Sequence, residues 1–568
     1  MRLLQLNALP RTFLEKIFAC EASRALYGDM RFRAWLPLLC LLSAVLGFTA
    51  CAKRETPVEE GIRTHTLLVG NSAEPGDLDP HLASVLSDQL IVNTLFEGLT
   101  LLDERSTNPL PACAESWNVS PDGLIWTFRL RAGLKWSNGD PLTAEDFLQS
   151  WGRVLNPDFA SDNASYLFVV KNAEAFNARK LTDRAQVGFT APDPRTIVLT
   201  LERPAPYLPA LVSMPAWFPI NPRAVVNFGP LEKRGTDWTR AGNLVSNGAF
   251  VLAEWTPNAR VVLAKNTHHR EAAQNHLERI VFFPIESPDV EERNFRAGQL
   301  HVTSNLPVTK IAPWQEREPA RLRLEPILQV NFLRFNTTRP PFNDVRVRRA
   351  LSLAIDRDTL ARTVLQSSRL PAHAFTPPGT GGYTARAAVD FDYVTARRLL
   401  ADAGHAEGKN LPVLELQCRN DEIMPRLAEA LQAMWQRYLG VRTSISQVEQ
   451  KIWIQNQQSL NYTISTAGWT ADFPDPVTFL GLLSATSGYN WTGWNNPAYE
   501  QLLSTAAITA DPAKRYEIFQ QAEALLLSDA AISPLYFGAH TYLIHPAVKG
   551  WEPAPLVFRR FQLVELKN

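Results

Sequence analysis

The residues best suited to chemistry lie in the stretch 467–480, which reads AGWTADFPDPVTFL. A β-like run, residues 461–466, leads into it, and Pro474 and Pro476 then end any interior strand because proline cannot donate to a sheet ladder. Asp472 is therefore predicted to be a carboxylate held at a strand end beside the indole of Trp469. Such a partly dry carboxylate suits the binding of a cation such as an amino group. The local pattern by itself favours a simpler interpretation, in which Asp472 caps the next turn and Trp469 is ordinary core.

Catalytic motifs are missing from the sequence, which contains no GxSxG, HExxH or GxxxxGK[ST] pattern. The glycines at 379–382 follow two prolines and open no helix after a strand, so they indicate a loop and not a phosphate site. His268 and His269 are adjacent and would point to different sides of a regular element. Asp472 and Asp475 could form an acid/base pair, but no histidine or nucleophile lies nearby in the sequence. We expect ligand binding without catalysis, and neither a cofactor nor a metal.

Composition sets the class of protein. The 568 residues suggest two to four domains, and the apolar fraction of 45% is that of a soluble globular protein. Lys+Arg and Asp+Glu balance at 57 each, so no net charge favours a nucleic acid partner. The 41 Pro and 15 Trp indicate many loops and aromatic walls as well as core.

The N-terminal region predicts export. Arg31 and Arg33 precede an apolar run at 34–48, which is too short for a membrane span and suits a signal peptide at 30–50. Thr49 and Ala50 directly before Cys51 resemble a bacterial lipobox, although Phe48 stands where that motif usually has Leu. The resemblance implies cleavage before Cys51 and lipidation of its sulfur. A plain secretory signal cut near Ala50 is the alternative.

Two further expectations concern the ends of the mature chain. Met30 would begin a signal of ordinary length, so we hypothesise that it is the true start and that 1–29 is a mis-assigned segment; residues 51–61, charged and unpatterned, would be a tether. Only Cys113 and Cys418 remain after processing. Two cysteines so far apart make no disulfide framework, although a single bridge stays open.

Periodicity predicts the elements that must position Asp472. Strands are expected at 64–70, 125–130, 196–201 and 279–285, and helices at 84–96 and 144–155, the latter capped by Thr143 with Asp146 near the capping-box position. Beyond about 325, helices alternate with strands, including a helix at 422–439 stopped by Gly440. This alternation predicts an α/β domain with a largely parallel sheet.

With these elements placed, the chain from about 64 to 565 resembles the bacterial extracellular solute-binding proteins of the peptide/nickel class (family 5), closest to the oligopeptide-binding proteins of ABC importers. No single motif is decisive, and their common order and spacing carry the resemblance. The motifs are LDPH at 78–81, LFEGL at 95–99, AESW at 114–117, WTFRLRAGLKWSNGDPLTAEDFLQSW at 126–151, NGAF at 247–250, PFNDVRVR at 341–348 and GWTAD at 468–472.

The resemblance implies an α/β, periplasmic-binding-protein-like fold of two lobes with an additional small domain and a ligand cleft between the lobes. Lobe I would be discontinuous, comprising 62–98, 223–327 and 538–568. The small domain would be 99–222, and lobe II 328–537.

The resemblance also implies roles for individual residues. Asp472 would pair with the α-ammonium of a bound peptide, and Trp469 would line the cleft. Asn247 would lie at the cleft, and Thr470 would border the peptide backbone. So would the segment 82–86, with Ser84, Val85 and Leu86.

The implied function is a substrate-binding component that delivers oligopeptides to the permease subunits of an ABC importer. It would be a monomer, exported to the periplasm or cell surface and anchored to a membrane through Cys51. Departures leave the ligand open: Thr466 stands where a close relative has Arg, Gln450 where it has Trp, and Met424 near a position that can be His, while Arg419 is an alternative cation. A murein peptide or another small ligand remains an alternative, as do a secreted peptidase and a surface adhesin or sensor.

Overall fold

The computed structural model describes residues 55–421 and 423–567. The predictions for the start at Met30, the signal peptide and Cys51 lie outside the described residues. The strands within them are β1 (Thr66–Gly70), β2 (Thr100–Leu102), β3 (Pro109–Pro111), β4 (Ala114–Val119), β5 (Ile125–Leu130), β6 (Phe189–Asp193), β7 (Thr196–Thr200), β8 (Phe250–Thr256), β9 (Arg260–Lys265), β10 (Arg279–Phe283), β11 (Leu322–Phe335), β12 (Leu370–Pro371), β13 (Leu414–Arg419), β14 (Thr443–Val448), β15 (Ile464–Thr470), β16 (Ile532–Leu543), β17 (Val548–Lys549) and β18 (Glu565–Leu566).

The helices of the same residues include several that the sequence predicted, among them 144–155 with its Thr143–Asp146 capping box. They are α1 (Pro57–Thr64), α2 (Leu86–Leu95), α3 (Ala144–Leu155), α4 (Ala173–Asn177), α5 (Leu208–Leu211), α6 (Pro222–Val225), α7 (Pro288–Arg296), α8 (Val308–Arg317), α9 (Val345–Leu353), α10 (Arg357–Thr363), α11 (Tyr393–Asp402), α12 (Met424–Leu439), α13 (Gln450–Gln458), α14 (Val477–Leu480), α15 (Pro497–Ala507) and α16 (Pro512–Asp529). No helix in this part of the chain combines the length and apolarity that crossing a membrane requires.

Three larger sheets organise the described chain. One has the order β1-β10-β9-β8, a second β4-β5-β7-β6, and a third, of six strands, β12-β16-β11-β15-β13-β14. The largest buried apolar clusters lie on these sheets: one on the β4–β7 sheet with α3, one on the β1–β10 sheet, and two on the six-stranded sheet. Each sheet therefore has a core of its own.

The six-stranded sheet is mixed, so the prediction of a largely parallel sheet is wrong. β13 runs parallel to β14 and β15, but β11 is antiparallel to both β15 and β16, and β12 is antiparallel to β16. The reason is topological. β11 brings the chain into this sheet and β16 takes it out beside the same point, and two paired strands that enter and leave together must run in opposite directions.

The long strands β11 and β16 also contain the predicted lobe boundaries near 327 and 537, which stay predictions. Their pairing is regular from Leu322 to Pro326, shifts register before Val330, and shifts again between Asn331 and Phe332. A bulge of this kind bends a strand locally. Gln329 lies in the irregular stretch between Pro326 and Val330, and its side chain contributes to the candidate site.

The N-terminal end of the described chain corrects one expectation. The helix α1, residues 57–64, begins inside the segment 51–61 that was expected to be an unpatterned tether, with Val58 buried and its N–H donated to the Gly298 carbonyl at 3.0 Å. Thr56 and Glu59 form a complete capping box, and Pro57 occupies the first turn. These are sequence signals for a helix start. The segment was nevertheless predicted to be a tether because it contains many charged residues.

A buried ion pair fixes the loop that leads to segment 82–86. The Arg153 guanidinium of α3 binds both carboxylate oxygens of Asp79, at 3.0 and 2.5 Å, and donates to His81 Nδ1 at 2.8 Å. Burial raises the pKa of Asp79, but the Arg153 charge outweighs it and holds that pKa below its ordinary value. Burial, aided by Arg153, lowers the pKa of His81 to about 4, so the imidazole is neutral and its Nε2–H donates to the Phe218 carbonyl at 2.9 Å.

Replacing Arg153 with Met should lower the free energy of unfolding by about 3–5 kcal/mol, because Asp79 is left as an unpaired buried charge. Chemical denaturation checks this. Arg129→Met is the matched control: its pair with Asp193 spans 3.2 Å but both side chains are nearly half exposed, so its loss should cost less than about 1 kcal/mol. Equal costs for the two variants would contradict a special role for the buried pair.

Candidate functional site

Asp472 lies just beyond the end of β15, as the sequence predicted. The strand ends at Thr470, and the next backbone N–H, that of Ala471, still bonds the Leu328 carbonyl at 2.7 Å. The chain then leaves the sheet at Asp472 and turns through Pro474 and Pro476 into α14. The carboxylate therefore stands at the rim of the six-stranded sheet, on a backbone that the sheet fixes.

A second aspartate pins this loop. Asp475 receives two hydrogen bonds from Arg515 of α16, at 2.6 and 2.8 Å, and both side chains are buried. The same carboxylate accepts from the Val477 N–H at 2.9 Å, at the start of α14. Asp475 is thus a structural residue, which removes the acid/base pair considered from the sequence.

Asp472 has no such countercharge. In the described part of the chain, no Lys, Arg or His forms an ion pair with it. Burial raises the pKa of the Asp472 carboxyl, and the hydroxyl of Tyr166, in the 3₁₀ helix Asp162–Leu167, offsets this only in part. Burial and the facing Asp472 charge in turn raise the pKa of Tyr166. A desolvated carboxylate with one neutral donor is a site that a ligand cation would complete.

Three aromatic rings lie in a row that begins near Asp472. The rings of Trp469 and Tyr489 lie 5.2 Å apart, and those of Tyr489 and Trp491 lie 5.8 Å apart. We call these three residues the aromatic row. Tyr489 is 53% exposed, whereas Trp469 is partly buried and its Nε1–H points to Thr478 Oγ1 at 3.4 Å. The row offers amphipathic faces beside the carboxylate, suited to contact with a ligand chain.

The backbone of β15 offers a free edge. β13 pairs with this strand only at Ile464 and Ser465, whereas β11 pairs with it along its whole length. From 467 to 470 the strand therefore has a ladder partner on one side only. An unpaired edge is the surface to which an extended peptide adds as a further strand.

A second exposed surface lies at the start of α2. Ser84, Val85 and Leu86 are exposed, with Val85 at 53% and Leu86 at 49%. The N–H groups of Ser84 and Val85 donate to no other group in the described residues. Asn163 holds this segment by donating to the carbonyls of His81 and Ala83, at 3.3 and 3.2 Å.

Two links join this segment to the Asp472 side. Asn163 shares its short 3₁₀ helix with Tyr166, which faces Asp472. Leu86 and Gln329 line one cavity of about 450 Å³, and Gln329 Nε2 donates to Thr470 Oγ1 at 2.9 Å. These links connect the segment 84–86 with the Asp472 side of the site, and the ligand contacts of both remain predictions.

Asn247 has a different place, and we withdraw it from the proposed contacts. Its side chain is 4% exposed and spans the backbone of Glu97, accepting from its N–H at 3.1 Å and donating to its carbonyl at 2.8 Å. An amide used in this way joins two segments of backbone. Its Nδ2 also approaches the sulfur of Cys113 at 3.5 Å. Cys113 and Cys418 are both buried and free, so the structure contains no bridge between them.

Sequence reasoning missed Tyr166, Tyr489 and Gln329. Tyr166 and Tyr489 are distant in sequence from Asp472 and sit in segments without periodicity. Gln329 lies in β11, whose 14 residues were not predicted as a strand. These residues reach the site through contacts between segments that are distant in sequence. The only sequence signal for them was weak: the two tyrosines are polar aromatic residues in segments without periodicity.

Asp472 and Asp475, three residues apart, give a test with opposite signs. Asp472→Asn should raise the free energy of unfolding of the unliganded protein at neutral pH, because an amide removes a partly desolvated charge that has no countercharge. The pKa of Asp472 is raised, so wild type gains a proton and the difference shrinks as pH falls through that pKa. Asp475→Asn should cost about 3–5 kcal/mol by stranding Arg515. Denaturant titration over pH measures both, and a destabilised Asp472→Asn would contradict the assignment.

The chain is similar to known proteins over most of its length. Residues 108–491 match the model of the bacterial extracellular solute-binding proteins, family 5 Middle. The periplasmic oligopeptide-binding protein OppA of Salmonella typhimurium is 32% identical over 521 residues, covering 90% of this chain and 94% of OppA. The probable deoxycholate-binding periplasmic protein YgiS of Escherichia coli is 33% identical over 533 residues, covering 92% and 96%.

Among solved structures, the unliganded open form of the murein tripeptide-binding protein MppA superimposes with a TM-score of 0.79. It is 32% identical, and the match covers 89% of this chain and 97% of that one. A match over most of the chain in sequence and in structure leaves one assignment, and this chain belongs to the family 5 bacterial extracellular solute-binding proteins.

Proposed function

We propose that this protein is the substrate-binding component of an ABC importer and that it binds oligopeptides between its two lobes. The observation that carries the proposal is the unbalanced Asp472 carboxylate at the end of a half-paired strand. A peptide supplies both missing partners, since its α-ammonium pairs with the carboxylate and its backbone pairs with the free edge at 467–470.

Main-chain and terminal contacts of this kind do not depend on side-chain identity. Trp469, Tyr489 and the exposed Val85 and Leu86 then offer broad apolar surfaces, and water fills the remaining space beside a smaller side chain. The cavity of about 450 Å³ is in the range of pockets that enclose small organic ligands. This combination supports a receptor that accepts peptides of varied sequence.

A bile acid is the second candidate, because YgiS is named a probable deoxycholate-binding protein. The electrostatics at Asp472 oppose it. Deoxycholate carries a carboxylate and no ammonium, so at this end of the site it would leave Asp472 without a cation. We therefore place peptides, including murein peptides, ahead of it.

The remaining parts of the proposal rest on sequence. We infer that the protein is exported and anchored through a lipid on Cys51, that it acts as a monomer without catalytic activity, and that it delivers its ligand to membrane permease subunits. The relatives are named as binding proteins, in agreement with a receptor role. Incubation of a peptide with the protein, followed by mass spectrometry, would reveal cleavage if the chain were a peptidase.

Calorimetric titration with a tripeptide and its N-acetylated twin tests the ammonium site directly. The free amine should bind tightly, and acetylation should remove most of the affinity. Asp472→Ala should weaken binding of the free amine by more than a hundredfold, the equivalent of about 3–5 kcal/mol for one member of a buried pair. Equal binding of both peptides would exclude Asp472 as the anchor, and deoxycholate binding without peptide binding would establish the second candidate.

The same titration has a predicted pH dependence. Binding the ammonium requires an ionised carboxylate, and the pKa of Asp472 lies above its ordinary value. Affinity should therefore fall as pH is lowered through that raised pKa, starting at a higher pH than a solvent-exposed aspartate would give. The control is Asp472→Asn, whose weaker binding should show no such acid limb.

A further inference from the structure

Arg334 is unusual among the buried arginines of the described residues. Arg153, Arg515 and Arg559 pair with carboxylates, and Arg348 and Arg357 each donate to several carbonyl or hydroxyl oxygens. Arg334 is 3% exposed yet makes a single hydrogen bond, from Nη1 to Gln457 Oε1 at 3.2 Å.

The guanidinium of Arg334 therefore has spare donors. A guanidinium carries five N–H groups, and four of these have no acceptor in the described chain. The Arg334 nitrogens that lack an acceptor are not fully enclosed and keep some contact with solvent. Burial lowers the pKa of Arg334 to about 10, so the group stays charged at neutral pH. A desolvated cation with free donors is the complement of the Asp472 carboxylate.

Arg334 stands on the same face as the aromatic row. It pairs with Ser465 across the β11–β15 ladder, and Ser465 and Trp469 share a face because strand residues an even number apart point the same way. The Arg334 Cζ lies 4.8 Å from the ring centroid of Trp491. The row thus runs from Trp469, near Asp472, to Trp491 at Arg334.

Arg334 lies at one end of the aromatic row, and Asp472 lies beyond the other end. Ser465, the ladder partner of Arg334, precedes Trp469 by four residues, or about 13 Å along a strand, and Asp472 follows Trp469 in the loop after the strand. A span of this order corresponds to a few residues of extended peptide, each of which covers about 3.3 Å. One ligand can therefore reach both charges if it carries an ammonium at one end and a carboxylate a few residues away.

We propose that Arg334 is the specificity-determining cation that receives a carboxylate of the ligand whose ammonium pairs with Asp472. This rests on the proposed peptide-binding function. The guanidinium donates two N–H groups in parallel to the carboxylate oxygens, the geometry that arginine favours. The carboxylate belongs either to the C-terminus of a short peptide or to an acidic side chain, and both present the same chemistry.

Arg419, the cation considered from the sequence, fits this role less well. It is partly exposed, pairs with Asp421 at 3.2 Å and lies over Trp453 at 5.7 Å. Its charge is already balanced and hydrated, so a ligand carboxylate would gain little from it. Arg419→Gln therefore serves as the matched control.

The test is calorimetric titration of the protein with four peptides. Ala-Ala-Ala and its C-terminal amide differ in the terminal charge, and Ala-Glu-Ala and Ala-Gln-Ala differ in the side-chain charge. In the unsubstituted protein at least one charged member should bind tenfold or more tightly than its neutral twin. Arg334→Gln should abolish that preference and leave the neutral twin's affinity unchanged, and Arg419→Gln should retain the preference. The pair that loses its preference identifies the source of the carboxylate.

A second variant guards against misfolding of Arg334→Gln. Gln457→Glu keeps Arg334 and gives it an internal carboxylate at the position of the present acceptor, while the Ser465 hydroxyl, now 2.6 Å from Gln457 Nε2, can turn to donate. It should also reduce the preference for charged peptides. Thermal unfolding checks that both variants fold.

The outcomes separate the two proposals. A charge preference that survives both variants, or the absence of any preference in the unsubstituted protein, overturns the role of Arg334 and leaves peptide binding standing. Equal losses for charged and neutral peptides also overturn it, because they indicate a structural effect. Binding of none of the four peptides to the unsubstituted protein overturns the proposed function and the present proposal with it.

Discussion

The candidate site depends on one charge, that of Asp472, which has no ion-pair partner in the described residues. Asp475 and Asp472 belong to the same loop, but only Asp475 has a buried arginine, and its pair with Arg515 holds the loop in place. Asp472 is then kept in a desolvated position by a backbone that cannot move away. The ionised carboxylate lowers the stability of the unliganded protein, and a ligand cation removes this destabilisation. This is the usual arrangement of a binding site that selects for charge.

The mixed sheet makes this arrangement possible. β11 supplies the pairing that fixes β15, while the early departure of β13 leaves the other edge of β15 open from 467 onward. β11 also continues through the register shift near Gln329 toward the first sheet, and β16 returns beside it. The strand that supports the site is therefore one of the two that connect the predicted lobes.

The sequence predicted the local features well and the pairings poorly. The capped helix at 144–155 and the strand end before Asp472 follow from short-range signals, namely a capping box and a proline-rich exit. The antiparallel entry of β11, the 3₁₀ helix with Tyr166, and the structural use of Asn247 depend on contacts more than a hundred residues apart. The resemblance to a family predicted a ligand contact for Asp472 and another for Asn247, whose amide the fold uses to join two backbone segments.

The contacts across the cleft indicate how ligand binding and closure are linked. Tyr207 stacks on Phe473 with ring centroids 5.0 Å apart, directly beside Asp472, and the Arg515 guanidinium lies 5.6 Å from the Tyr207 ring. The Tyr166 hydroxyl also faces the Asp472 carboxylate and partly offsets the rise in its pKa. Bringing these aromatic groups against an ionised, unpaired carboxylate removes it from water, which opposes closure. A ligand ammonium would cancel that charge, so we expect cation binding to stabilise the arrangement in which these groups face Asp472.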